Sequence, residues 1–82
     1  MRMPKFLQAV ELSDADKEAL SSQLKNWLVA QIHIRKATSG RLMQMLAFEV
    51  SHLRRDHMVE RIHGRLVKRR QEEERAQLTL MR

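Results

Sequence analysis

From Arg41 to Gln77 the chain contains no proline and a single glycine, Gly64. A run of that length without a backbone breaker is expected to be helix, and its residues sort into stripes at about 100° per residue. Arg54, Arg61, Arg65 and Lys68 recur at steps of seven, four and three and form a cationic edge. Glu49, His52, Asp56, Glu60 and His63 form a carboxylate–imidazole edge. Leu42, Leu46, Val50 and Leu53 make one apolar stripe, and Met45, Phe48, Val59, Ile62 and Leu66 make a second, rotated by more than a quarter turn.

A rod that is apolar on two sides needs two neighbours. The first comes from upstream. Ser13 followed by Asp14-Ala15-Asp16 reads as an N-cap with a carboxylate at N3, close to a capping box. Leu20, Leu24, Trp27, Leu28, Ile32 and Ile34 then supply a broad apolar face as far as Ala37. Thr38-Ser39-Gly40 is the strongest break: Gly40 can take positive φ, and Thr38 or Ser39 can cap the next helix. The second neighbour is expected to be another copy of the chain or the N-terminal arm.

The expected fold is therefore all-α: an antiparallel helical hairpin or three-helix unit with a long basic C-terminal helix, paired as a homodimer. Residues 1–12 read as an arm or short helix in which Phe6, Leu7 and Val10 share a face. Residues 13–77 read as one helical domain, with helices over about 13–37 and 41–77, and residues 78–82 as a frayed tail. The alternative to a continuous last helix is a break near Arg55-Asp56, with Asp56 capping a separate helix.

Eighty-two residues allow one domain. A chain this short buries only about 60% of its unfolded surface, which adds to the case for self-association. It has no cysteine, so neither disulfide nor thiolate metal site can reinforce it. The longest apolar run is too short to span a bilayer, and Met1-Arg2-Met3-Pro4 lacks the apolar core of a signal peptide. A cytoplasmic location and no membrane partner are the resulting expectations.

The formal net charge of +6 is concentrated. Between Arg54 and Arg70 stand seven cations, Arg54, Arg55, Arg61, Arg65, Lys68, Arg69 and Arg70, against Asp56 and Glu60. Such a field favours phosphates or an acidic protein face. Arg54, Arg61, Arg65, Lys68 and Arg69 are the candidate contacts for nucleic acid or an acidic partner, and Arg54 to Lys68 would extend about 21 Å along a helix. Met45, Phe48, Val59, Ile62 and Leu66 are the candidate interface with a second copy or a partner protein. Phe6, Trp27 and Phe48 are the only aromatic residues, so base stacking is not expected. A helix-turn-helix reading would make Arg41–His52 the groove reader, and that segment is too apolar for the role.

Glu-x-x-His occurs twice, as Glu49–His52 and Glu60–His63. The spacing is that of dimetal bundles, but the supporting glutamates from other helices are missing, so no metal or other cofactor is expected. No glycine-rich phosphate loop is present, and Ser51 and His52 are adjacent, so their side chains should diverge on a helix. A non-enzymatic binding protein is the expectation. The leading ligand is nucleic acid or a nucleoprotein; the alternative is a small regulator or inhibitor docking on a partner such as a transcription factor or nucleic-acid enzyme.

Overall fold

The computed structural model describes residues 5–81, apart from the side chain of Phe6. The expectations for Met1–Pro4, for the packing of Phe6 and for Arg82 lie outside the described residues. Every regular element among them is helical: α1 Lys5–Gln8, α2 Asp14–Gln23, α3 Trp27–Lys36, α4 Ser39–Phe48, a π-helical turn Glu49–Leu53, and α5 Asp56–Leu80. The long last helix is present, with 25 residues. It runs to Leu80, so residues 78–80 are helical where a frayed tail was expected.

α2 starts as its sequence predicts. Ser13 Oγ accepts from Asp16 N at 3.1 Å and Ser13 N donates to Asp16 Oδ2 at 3.2 Å, a reciprocal capping box. The helix expected to continue to residue 37 instead stops at Gln23. Asn26 takes an extended conformation and its Oδ1 accepts from Val29 N at 3.0 Å, capping a new helix. An asparagine side chain competes well with the helix ladder for backbone donors, and that competition is decided here in favour of a cap. The interruption turns α3 so that Ala30 and Ile34, four apart, face inward. Leu28 and Ile32, expected on the same buried face as Leu24, lie outside, at 72% and 54% exposure.

The next break falls at Ala37-Thr38, and Thr38 Oγ1 caps α4 by accepting from Arg41 N at 3.2 Å. Gly40 does not supply a positive φ; it sits within the first turn of α4. α4 is the central helix. Leu42, Met45, Leu46, Ala47 and Phe48 are all buried. Helices α1, α2 and α5 pack around it, contributing Leu7, Leu20, Met58, Ile62 and Leu66 to one core.

The continuous rod over 41–77 is not formed. The chain breaks at Arg54-Arg55, close to the alternative position, although Asp56 is the first residue of α5 and not its cap. α5 then lies alongside α4: Arg70 Nη2 is 3.0 Å from Met43 Sδ, and Ser39 Oγ donates to Glu73 at 2.9 Å. This changes the meaning of the second apolar stripe. Met45 and Phe48 on α4 face the same core as Ile62 and Leu66 on α5, and Val59 is half-buried against it. Residues expected at an interface between copies or with a partner are interior to one chain. The cover that a second copy was to provide comes from α5 itself. Beyond Glu73, α5 continues with every residue exposed.

Candidate functional site

The break between α4 and α5 holds the most constrained polar cluster. Glu49 opens the π-helical turn, and Arg54 closes it in the left-handed region at φ 53°, ψ 36°, with its N–H returned to Glu49 O. Left-handed backbone disfavours any residue with a Cβ. The surroundings hold it there. The Glu49 side chain is fully buried, and its carboxylate accepts from Arg55 N at 3.2 Å, Nε at 2.8 Å and Nη2 at 3.0 Å. Arg55 Nη2 also donates to Leu24 O at the end of α2. The hydrogen bond to Glu49 raises the Arg55 guanidinium above its ordinary range against the opposing pull of burial. A raised value keeps the group charged, so this contribution to stability is present at neutral pH and lost only in strong alkali.

This turn also redirects Ser51 and His52. Ser51 Oγ and His52 Nδ1 meet at 2.6 Å, where divergence was expected. The same hydroxyl lies 2.7 Å from Ala47 O. A serine has one proton, and with it on the carbonyl the hydroxyl can only accept from Nδ1–H. That polarity is the reverse of a base activating a nucleophile. His52 stacks on Phe48 with ring centroids 4.8 Å apart. The two members of the first Glu-x-x-His pair are thus separated, Glu49 inside and His52 exposed. Glu60 and His63 of the second pair are both exposed. Among the described residues no group of three or more His, Cys, Asp or Glu is placed to hold a metal ion.

An open groove of about 700 Å³ lies between α3 and α5. Trp27, Gln31, Ile34 and Arg35 line it from α3, and Glu60, Arg61, Gly64, Arg65 and Lys68 from α5. Arg35, Arg61, Arg65 and Lys68 face a single carboxylate, Glu60. Steps of four and three bring Arg61, Arg65 and Lys68 to one edge of α5. Trp27, at the first position of α3, remains 37% exposed, with the Arg61 guanidinium 5.2 Å from the centre of its ring. Arg65 Nη2 donates to Arg35 O at 3.4 Å, joining the two walls, while its Nε is buried without a hydrogen-bond partner. Gly64 leaves open space where a Cβ would stand.

Of the five cations expected to act together, Arg61, Arg65 and Lys68 share this groove. Arg54 does not; it is exposed at the strained turn, outside α5. Arg69 pairs with Glu72 at 3.2 Å and does not line the groove. The cationic edge is therefore Arg61 to Lys68, about 10 Å of helix and not 21 Å. Two groove residues were not among the binding residues expected from sequence: Trp27, placed there on the core face of the first helix, and Arg35. Their place here depends on the break at residues 24–26. The one advance signal was the polar pair Lys25-Asn26 immediately before the sole tryptophan.

No helix among the described residues is long and apolar enough to cross a membrane. No family model, curated protein or solved structure matches the chain.

Proposed function

We propose that this is a small non-enzymatic nucleic-acid-binding protein that acts in the cytoplasm through the groove between α3 and α5. The observation that carries the reading is the gathering of Arg35, Arg61, Arg65 and Lys68 from two helices around one open groove, against Glu60 alone. Arginine suits phosphate because its planar fork donates two parallel hydrogen bonds. Arg61 and Lys68 are exposed and can move toward a ligand, whereas Arg65 is anchored to the α3 backbone. α4, the helix in the position of a groove reader, is enclosed by its neighbours, so the contact belongs to α5 and α3.

The test is the salt dependence of oligonucleotide binding. With the one or two phosphates that about 10 Å of cationic edge can engage, the logarithm of the binding constant should fall against the logarithm of salt with a slope of about −1 to −2. The double variant R61E/K68E should lose retention on immobilised nucleic acid while keeping its helical circular dichroism. Retention of that variant at wild-type salt strength would remove the groove from the reading.

A second reading, a regulator that docks on another protein, is favoured by Leu28 and Ile32, which leave an apolar strip on α3 beside the cations. A partner held there would survive moderate salt and be lost in L28S/I32S, a pair of changes outside the core. The homodimer expected from sequence has no seam at Met45, Phe48, Ile62 and Leu66; sedimentation at increasing concentration measures whether another face supplies one.

A further inference from the structure

We infer that the groove takes unpaired nucleotides, with one base stacked on Trp27 in the place now held by the Arg61 guanidinium. The inference rests on the nucleic-acid reading and goes beyond it by naming the strand state and the stacking residue.

Three observations point the same way. First, the cationic edge is short. About 10 Å from Arg61 to Lys68 matches one or two phosphates of a single strand, not the long phosphate track of a duplex groove. Second, the cations line two walls of an open groove of about 700 Å³, from α3 and α5, and are not confined to one helix. Such a groove receives a base turned away from its neighbours, which a paired duplex does not offer. Third, the groove contains the only tryptophan, partly exposed, with a cation already on its ring.

That cation–π contact marks a face able to accept a flat, electron-poor group. Stacking of a nucleobase on an aromatic ring is worth more than a solvent-exposed cation–π contact, so the exchange favours the base. Arg61 lies on the same edge as Lys68, so its displaced guanidinium is beside the phosphate next to the base. Glu60, the one carboxylate lining the groove, disfavours phosphate at that end and sets the strand toward Arg65, Lys68 and Arg35. The small aromatic count of the chain therefore does not argue against stacking: one ring suffices when the fold places it among the cations.

The sole tryptophan is also the reporter. Titration with oligothymidylate should quench its fluorescence, and a duplex of equal length should bind more weakly and leave the emission nearly unchanged. In anisotropy measurements with labelled oligothymidylate, W27L should bind about tenfold more weakly with an unaltered salt slope, and W27F should recover most of the loss. The indole is partly in solvent at the start of a helix, so both variants should fold, and circular dichroism checks this. Wild-type affinity in W27L, or equal affinity for duplex with no quenching, overturns the stacking inference while leaving the nucleic-acid reading intact. No salt-sensitive binding of either oligonucleotide overturns both. Quenching by an amphipathic Leu–Glu peptide, with none by oligothymidylate, overturns both in favour of a protein occupant.

Discussion

The turn at residues 49–55 and the groove between α3 and α5 use the same residue types to opposite ends. In the turn, Arg55 and Glu49 satisfy each other through three hydrogen bonds, and the carboxylate is sealed from water. In the groove, Arg61 and Lys68 are exposed, Arg65 retains an unmatched buried Nε, and one carboxylate stands against four cations. The first arrangement is complete within the chain and holds the fold. The second leaves its positive charge unbalanced and open to solvent, which is the ground for the ligand proposed there. Arginine density alone, which is similar in the two places, does not distinguish them; the local balance of charge and the access of solvent do.

The largest effect that separates the two regions should come from R55A. It leaves the Glu49 carboxylate buried without its cation, and breaking a buried pair in this way costs about 3–5 kcal/mol. Small domains have only about 5–15 kcal/mol in hand, so urea unfolding should show a greatly weakened or unfolded chain. R61A, at an exposed position where only the cation–π contact with Trp27 is lost, should change the same stability by less than about 1 kcal/mol. Next is the contrast between two isoleucines. I62A removes a fully buried side chain from the α4–α5 core and should cost about 3 kcal/mol, whereas I32A on the open face of α3 should be near neutral. A smaller effect, of opposite sign, is expected at the strained residue: R54G relieves the left-handed backbone and should raise stability by about 1 kcal/mol. It should leave groove binding unaltered, since Arg54 lies outside the groove. The smallest is G64A, where an exposed helical glycine with open space around it should gain about 0.5–1 kcal/mol in thermal unfolding. A loss of stability in G64A would mean that α5 is not continuous at this point.

How much could be read in advance depends on the range of the interactions involved. The Ser13 capping box and the Thr38 cap are local, closing over three residues; the first was legible, and the second as one of two neighbouring candidates, Thr38 or Ser39. The all-helical character and the long last helix were legible because propensity and periodicity are summed over many residues. The break at Asn26 was not, because nothing there but one asparagine competes with a good apolar repeat. The break at Arg54-Arg55 was visible only as an option, since the contact that fixes it joins Glu49, Arg55 and the Leu24 carbonyl, residues apart in sequence. The two apolar stripes were placed on a straight rod; once the rod folds, Leu42, Leu46 and Val50 of the first and Met45, Phe48, Ile62 and Leu66 of the second share one core, Leu53 is left exposed, and the second stripe is covered within the chain. The site was legible on one side only. Arg61, Arg65 and Lys68 share a helix, so spacing brought them together, but the wall carrying Trp27 and Arg35 is positioned by the orientation of α3, which no pattern within α3 encodes.

The bond from Arg55 to the Leu24 carbonyl joins two interruptions of the chain, the end of α2 and the turn before α5. The bond ties the chain just before α3 to the chain just before α5 through a side chain that does not line the groove. A lysine at position 55 would keep the charge but lack the fork that reaches both acceptors. In that variant the mouth of the cleft would sample a spread of widths, visible as a shifted and broadened tryptophan emission relative to the unaltered protein, so the precision of the cleft can be loosened from a distance without altering any residue that lines it.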